Sequence, residues 1–232
     1  MLFMFLLGGV LEEIREEGVE GVSCGACVDD MDFIVVGRSE REIEERVRRM
    51  EVGLKGGLEK WEIDVQVMKL EELWMDKEGG RVGKKVKWLG EDIKWKEEVR
   101  VLGVWWQGGG GWQSHVANRI RVGNMRWGLM RELIGRGGRE VGVEVLMRII
   151  KMVVKKAVMY GMELYWDKQK ELKDRLQVWI NRGLRDILGA VKTTPMDAML
   201  GEVGMKRVEY ELDDMVERWG IRLIRRRNSE LF

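Results

Sequence analysis

The chain has few of the residues that cross-link a fold or bend its backbone. Its 232 residues include one proline, one histidine, two cysteines and three tyrosines. A single pair of cysteines, Cys24 and Cys27, cannot form a disulfide framework, so an intracellular location (cytoplasm or nucleus) is expected. The pair also falls short of a zinc site, because the chain offers no further cysteine and only His115 as a histidine. The fold must therefore be held by its apolar core.

Long apolar runs are also missing. The apolar segment Met1–Leu7 is much shorter than the roughly 20 residues of a membrane-spanning helix, and no basic residues precede it as they do in a secretion signal. We expect this segment to be the buried first turn of a helix. A membrane partner is not expected.

The net charge is low but unevenly distributed. The whole chain carries 41 basic and 40 acidic residues, a formal charge of +1. Residues 1–100 hold 17 basic against 24 acidic residues, a net of −7, whereas residues 101–200 hold 17 against 9, a net of +8. This asymmetry is expected when one region binds metal or forms a neutral core and the other binds a polyanion. Solvated basic helices would produce the same asymmetry without any partner.

Two kinds of periodicity divide the chain. Short β-rich segments come first, whereas apolar residues recur at helical spacing after the tetraglycine Gly108–Gly111. We therefore predict an α+β region over residues 1–110 and an all-α domain over residues 111–232. Ser39 followed by Glu42 predicts a capping box, and Thr194 before the only proline predicts an N-cap. The helices predicted in the second region are Trp112–Gly135, Glu140–Gly161, Lys168–Leu188, Met196–Val203 and Val208–Arg227.

The segment 22–36 predicts a β-hairpin with a pair of acidic residues at its turn. Apolar residues flank Asp29 and Asp30 on both sides. Magnesium is commonly bound by one or two carboxylates together with substrate phosphates, and two such ions can hold both oxygens of a phosphoryl transfer. Aspartate pairs also occur in turns for their own backbone hydrogen bonds. The spacing alone leaves both interpretations open.

Several segments, taken in order, resemble one family of polymerases. Gly25–Ser39 resembles the Y-A-D-D hairpin and the start of the capped helix in the reverse transcriptases of non-LTR retrotransposons (jockey-like mobile elements). The similarity extends over nearly the whole chain. The further matching segments are Met1–Leu11 (the helix before the hairpin), Lys69–Glu71 (the next palm motif), Val101–Val104 (the primer grip), Trp112–Val116 (the start of the thumb), and the downstream segments Tyr160–Trp166 and Thr193–Gly204.

The resemblance implies RNA-directed DNA synthesis by two-metal nucleotidyl transfer. It implies a partial polymerase palm, an antiparallel sheet with helices, followed by a thumb-like all-α domain. By this resemblance Asp29 and Asp30 would be catalytic Mg²⁺ ligands, and Lys69 would assist the pyrophosphate leaving group. Leu102 and Gly103 would belong to the primer grip. The implied partners are an RNA template, a DNA primer, and the N-terminal palm and fingers of the family.

Departures from the family pattern weigh against activity of this chain alone. Cys27 replaces the usual aromatic residue before the aspartate pair, and the acidic Asp32 stands where an apolar residue is commoner. The palm strand with the third metal-binding aspartate, and the fingers, are expected before Met1. We therefore expect no polymerase activity from this chain by itself.

Basic residues recur along the second region. Arg119 and Arg126 lie on one predicted helix, and Arg148, Lys151 and Lys155 follow at helical spacing on the next. Such stripes can bind phosphates without reading base sequence. A non-catalytic nucleic-acid-binding protein is therefore the alternative to a polymerase fragment, and a chain without function is a third. An ordinary amphipathic helix with a solvated basic face would give the same pattern.

Overall fold

A computed structural model describes residues 10–12, 14, 20–27, 30–63, 70–75, 87–88, 91–137 and 142–229. The segment Met1–Leu7 lies outside them. The chain divides into two compact units, unit 1 (Met1–Val101) and unit 2 (Leu102–Phe232). Unit 1 carries 17 basic and 24 acidic residues, a net of −7, and unit 2 carries 24 and 16, a net of +8. The division precedes the tetraglycine on which the predicted boundary rests, and it also separates the two charge regions.

Unit 1 contains the predicted hairpin. Strands β1 (Val22–Cys27) and β2 (Asp30–Val35) are antiparallel, and Cys27 lies opposite Asp30. The side chains of β1 alternate between half-buried and exposed, as expected when one face of a sheet lies on a core. Val28 and Asp29, between the two strands, are outside the described residues.

A long helix, α1 (Glu40–Lys60), follows the hairpin. Ser39 is its N-cap, and its hydroxyl accepts a hydrogen bond from the Glu42 amide (3.3 Å), as the sequence predicts. The Glu42 carboxylate accepts in return from the amide of Arg38 (2.7 Å), one residue before the cap. The buried core of the described part of unit 1 gathers around α1 and consists of Val10, Ile14, Met50, Leu54, Leu58 and Trp88.

The rest of unit 1 is built from short strands. Strand β3 (Glu71–Glu72) is parallel to β6 (Lys94–Trp95), whereas β4 (Lys87–Trp88) is antiparallel to β5 (Glu91–Asp92). Strand β7 (Glu98–Val101) ends the unit. Each sheet among the described residues has two strands. The mixed α+β class agrees with the prediction, but the parallel pair differs from the antiparallel sheet expected here.

Unit 2 begins with a turn and strand β8 (Val104–Gln107) and is helical thereafter. The predicted helix over 140–161 is interrupted by a π-helical segment at its centre. The prediction of Thr194 as an N-cap is wrong by one residue, because Pro195 itself occupies the cap position. The helical elements are α2 (Gln113–Gly137), α3 (Val143–Ile149), the π-helix Ile150–Val154, α4 (Lys155–Met159), a 3₁₀ turn (Met162–Leu164), α5 (Lys170–Leu188), α6 (Met196–Val203) and α7 (Val208–Ser229).

The helices of unit 2 pack closely enough to require glycine at two positions. A Cβ atom on Gly123 of α2 would lie 2.7 Å from Cζ2 of Trp179 and would also overlap Val158. A Cβ atom on Gly183 of α5 would lie 2.9 Å from Cη2 of Trp127. Both glycines have low helix propensity, but the missing side chain lets an indole ring of one helix lie against the backbone of another.

The core of unit 2 follows helical periodicity. Helix α5 buries every fourth residue, from Leu172 through Leu176 and Ile180 to Leu184. This stripe packs in one apolar cluster with buried residues of α2, of the π-helical segment and of α7. The cluster fixes the positions of the helices whose outer faces carry the basic residues.

Candidate nucleic-acid interface

Of the three residues predicted to be catalytic, the structure describes only Asp30. Asp29 and Lys69 lie outside the described residues. Asp30 is exposed at the start of β2, and Asp32 lies on the same face of the strand, two residues further on. Burial raises the pKa of Asp32, and the neighbouring Asp30 carboxylate raises it further. The described hairpin therefore brings together two mutually repelling carboxylates.

A magnesium centre needs more than this pair. Within the described ranges, no group of three histidine, cysteine, aspartate or glutamate side chains is placed to hold a metal ion. The predicted pair Asp29 and Asp30 is only half described. The described residues alone do not fit a two-metal centre.

Leu102 and Gly103, predicted to belong to a primer grip, form a turn at the start of unit 2. Both have positive φ angles, 47° and 84°, which glycine adopts freely and leucine adopts at a cost. The Tyr160 hydroxyl donates to the Leu102 carbonyl oxygen (2.8 Å), and the Arg119 guanidinium donates to the Gly103 carbonyl oxygen. Arg119 also lies 4.8 Å from the centroid of the Tyr160 ring, a cation–π contact. Arg119, predicted to bind phosphate, is therefore engaged in holding this turn.

His115 is fully buried beside the turn. Its Nδ1 atom accepts a hydrogen bond from the amide of Trp105 (3.2 Å), and its Nε2 atom donates to the carbonyl oxygen of Tyr160 (2.9 Å). An amide can only donate and a carbonyl can only accept, so the partners fix a neutral imidazole with its proton on Nε2. Burial lowers the pKa of His115, and the positive charge of Arg119 lowers it further, while the Tyr160 hydrogen bond opposes them.

Tyr165 completes the packing around His115. Its ring centroid lies 5.3 Å from that of the imidazole, and its hydroxyl donates to the carbonyl oxygen of Trp105 (2.5 Å). Burial raises the pKa of Tyr165 to about 12. Gly161 is required nearby, because a Cβ atom there would lie 3.1 Å from Nε2 of His115 at a φ of 74°.

Three of the segments that carry the family resemblance therefore meet in unit 2. They are the turn that begins at Leu102, the helix start that contains His115, and the segment Tyr160–Trp166. The sequence predicts each segment but not their contact. A possible signal is that the only histidine of the chain and two of its three tyrosines fall within these segments.

The predicted basic residues occupy different environments. Arg126 is exposed, and its Nη1 atom donates to the Val153 carbonyl oxygen (2.9 Å) in the π-helical segment. Arg148 is exposed on α3. Lys151 donates to the Gly204 carbonyl oxygen (3.4 Å) at the end of α6. Arg126 and Arg148 are therefore exposed to solvent, and Lys151 is half-buried.

Two of the predicted lysines, Lys151 and Lys155, line a cleft of about 370 Å³ within unit 2. One wall is the π-helical segment with α4, the second is the first half of α7, and the third is the loop after α6. The lining residues are Lys151, Lys155, Lys156, Met159, Gly204, Met205, Lys206, Glu211, Asp214, Met215 and Arg218. We call this site the basic cleft.

Two ion pairs neutralise part of the basic cleft. Lys155 pairs with Glu211, and each side chain is only 16% exposed. The Lys206 ammonium group lies 2.6 Å from the Asp214 carboxylate and holds the pKa of Asp214 below its ordinary value. Five basic and two acidic lining residues leave a net charge of +3.

The basic residues that are not neutralised by these two ion pairs lie at the mouth of the basic cleft. Lys156 is exposed and has no ion pair with any residue that the structure describes. Arg218 is exposed and donates through Nε to the Asp214 backbone carbonyl oxygen (2.9 Å), a hydrogen bond that does not use its terminal nitrogens. With Lys151 these residues can attract an anion without breaking the two ion pairs.

Sequence reasoning missed Lys156, Lys206 and Arg218. For α7 the sequence does indicate which residues share a helix face, because they recur at spacings of three and four residues. These residues are Glu211, Asp214, Met215 and Arg218. What could not be predicted is that this face lies opposite Lys151 and Lys155. That placement depends on the core contacts between helices.

Helices of the described part of the chain are all too short or too polar to cross a bilayer. Comparison of the chain with family models, with curated proteins and with solved structures finds no match in any of the three.

Proposed function

We propose that this chain binds nucleic acid through its phosphate backbone, in the manner of a reverse-transcriptase thumb, and that it is related to the reverse transcriptases of non-LTR retrotransposons. The observation that carries the proposal is the basic cleft. It collects five cations in the unit with a net charge of +8. Phosphate contacts of this kind supply affinity without base-sequence specificity.

The relation to reverse transcriptases is supported by the packing around His115. The segments that resemble the primer grip and the thumb start are close in sequence, but the downstream motif lies 45 to 58 residues further along and is joined to both by hydrogen bonds in unit 2. Resembling segments that also pack together are better support than segments that are only ordered along a chain.

Salt dependence of binding tests the proposal. A labelled RNA–DNA template–primer duplex should bind with a Kd in the micromolar range at low salt. A contact of three net charges predicts a slope of log affinity against log salt of about −2.7, which is about a 40-fold loss between 50 and 200 mM salt. Fluorescence anisotropy measures both quantities. No binding at 50 mM salt would contradict the proposal.

A charge-reversal pair tests the site. Lys156→Glu with Arg218→Glu should weaken binding by more than tenfold and flatten the salt dependence, because both exposed cations are replaced by anions. Lys170→Glu with Lys192→Glu is the matched control, since both lysines are exposed and neither lines the cleft. Equal losses in the control and the cleft variant would mean that binding depends on overall charge and not on this site.

A second candidate is RNA-directed DNA synthesis itself. It is favoured by the β1–β2 hairpin, which places Asp30 at the first position of its return strand. This candidate predicts primer extension on an RNA template with magnesium by the chain but not by its Asp29→Ala, Asp30→Ala variant, whereas phosphate-backbone binding alone predicts no product from either. Extension by the chain that the double variant loses would support catalysis instead.

A further inference from the structure

The floor of the basic cleft is apolar although its mouth is charged. Met159 is buried, and Met205 and Met215 are half-buried against the core of unit 2. Thioether groups are polarisable and make favourable contacts with aromatic rings. A phosphate group bound at the mouth would leave this floor unused, so the floor indicates that the ligand has an apolar, flat part as well.

The volume limits what can enter. About 370 Å³ is at the lower end of the range for ligand-sized clefts, roughly 300 to 1,000 Å³. It has room for one nucleotide-sized group. In a duplex the bases are stacked inside and only sugars and phosphates face outward, so a duplex could use the mouth of the cleft but not its floor.

We infer that the basic cleft takes a nucleoside phosphate unit with an unpaired base, its phosphate bound by Lys156 and Arg218 and its base on the methionine floor. This inference deepens the proposed function and rests on it. The unit can belong to a single strand or to a free nucleotide, because both present the same phosphate and base. Thioethers contact any aromatic ring, so no strong preference among bases is expected.

The full chain with three labelled oligonucleotides of equal length tests the inference: a single strand, an abasic strand with the same phosphates, and a duplex. Fluorescence anisotropy at 50 mM salt should give a single-strand affinity roughly 3- to 10-fold above that of the abasic strand. Equal affinities for these two strands would overturn the inference while leaving phosphate-backbone binding intact. Failure of all three to bind would instead contradict the proposed function.

Substitution of two methionines that line the floor of the cleft provides the second test. The variant Met205→Ala, Met215→Ala should reduce the affinity ratio of single to abasic strand to about 1, because only the base contact is lost. Met125→Ala, an exposed methionine outside the cleft, should keep the ratio of the unchanged chain. An unchanged ratio in a floor variant that still unfolds cooperatively would also overturn the inference.

Competition identifies the source of the nucleotide. Adenosine monophosphate that displaces the labelled single strand at a concentration at which inorganic phosphate does not would support a free nucleotide as ligand. If neither compound displaces the labelled strand, and the single strand still binds more tightly than the abasic strand, the ligand would be a nucleotide within a strand. Displacement by both at equal concentrations would mean that phosphate alone is bound and would overturn the inference.

Discussion

Unit 1 and unit 2 are built in different ways. In the described part of unit 1 the core surrounds one long helix, α1, together with a hairpin and two-residue strands, and the unit carries a net charge of −7. In unit 2 successive helices share one core, and the net charge is +8. The environments of polar side chains differ as well. Unit 2 surrounds a neutral histidine with backbone partners, whereas β2 of unit 1 places two carboxylates on one strand face.

The two units should therefore respond differently to the same change of pH. The pKa of His115 is lowered in unit 2, whereas the pKa of Asp32 is raised in unit 1. A base with a lowered pKa and an acid with a raised pKa shift stability in opposite directions as pH falls. Hydrogen exchange read separately for α1 and α5 distinguishes the two units.

The largest effect is expected from His115→Ala. The substitution leaves the Trp105 amide and the Tyr160 carbonyl without a buried partner and opens a cavity, so unit 2 should lose about 3 kcal/mol of unfolding free energy. Urea-dependent hydrogen exchange of α5 measures the loss, and α1 serves as the internal control. An equal loss in α1 would mean that the two units unfold as one.

Two glycines of α2 should respond with opposite sign. Gly123→Ala should cost unit 2 about 1 to 3 kcal/mol, because the new methyl group overlaps Val158 and approaches Trp179. Gly128→Ala should gain up to about 1 kcal/mol, because a Cβ atom there meets nothing within 4 Å and alanine favours the helix. Urea midpoints of the two variants measure the difference. A gain for both would show that the close packing at Gly123 is easily relieved.

Acid should weaken unit 2 through His115. The unfolded chain takes up a proton at this residue near pH 6.5, while the folded chain, whose pKa is lowered, does not. Unfolding free energy should therefore be constant above this pH and fall below it by at most about 1.4 kcal/mol per pH unit. Thermal unfolding of the chain and of His115→Gln from pH 8 to 5 measures the slope. The variant should lack this contribution, and equal slopes would contradict the assignment.

The smallest effect is expected in unit 1. Because the folded pKa of Asp32 is raised above 3.8, the unfolded state loses its proton first as pH rises, and unit 1 loses stability over that window. Asp32→Asn should therefore stabilise unit 1 at pH 7 by up to about 0.5 kcal/mol and have no effect well below pH 3.8. Hydrogen exchange of α1 measures the gain. Asp30→Asn, which removes only the neighbouring charge and not the burial of Asp32, should give a smaller gain.

Local signals predicted a good part of the fold. Ser39 and Glu42 predicted the start of α1, apolar segments flanking Asp29 and Asp30 predicted the hairpin, and apolar residues at helical spacing after the tetraglycine predicted α5. Each depends on neighbours within a few residues. The β3–β6 pair depends on two-residue strands that are far apart in the chain, and no periodicity can identify a strand of that length.

The candidate site was predicted only in part, because it also depends on contacts between segments that are far apart in the chain. Lys151 and Lys155 were found by their spacing on one helix, but Lys206 and Arg218 join them from a loop and another helix. Arg119 was predicted to bind phosphate, and its hydrogen bond to the Gly103 carbonyl oxygen could not be predicted from the sequence. A basic residue on a helix face has several partners available, and the core decides which one it meets.

His115 also gives the molecule a built-in spectroscopic label. It is the only histidine in the chain, so isotopic labelling of histidine with ¹⁵N would yield one set of imidazole resonances without any assignment experiment. A proton fixed on Nε2 gives a nitrogen pattern that differs from the mixture of tautomers in an unfolded chain. One signal would therefore report whether the turn, α2 and the Tyr160 segment are assembled, even in an unpurified extract.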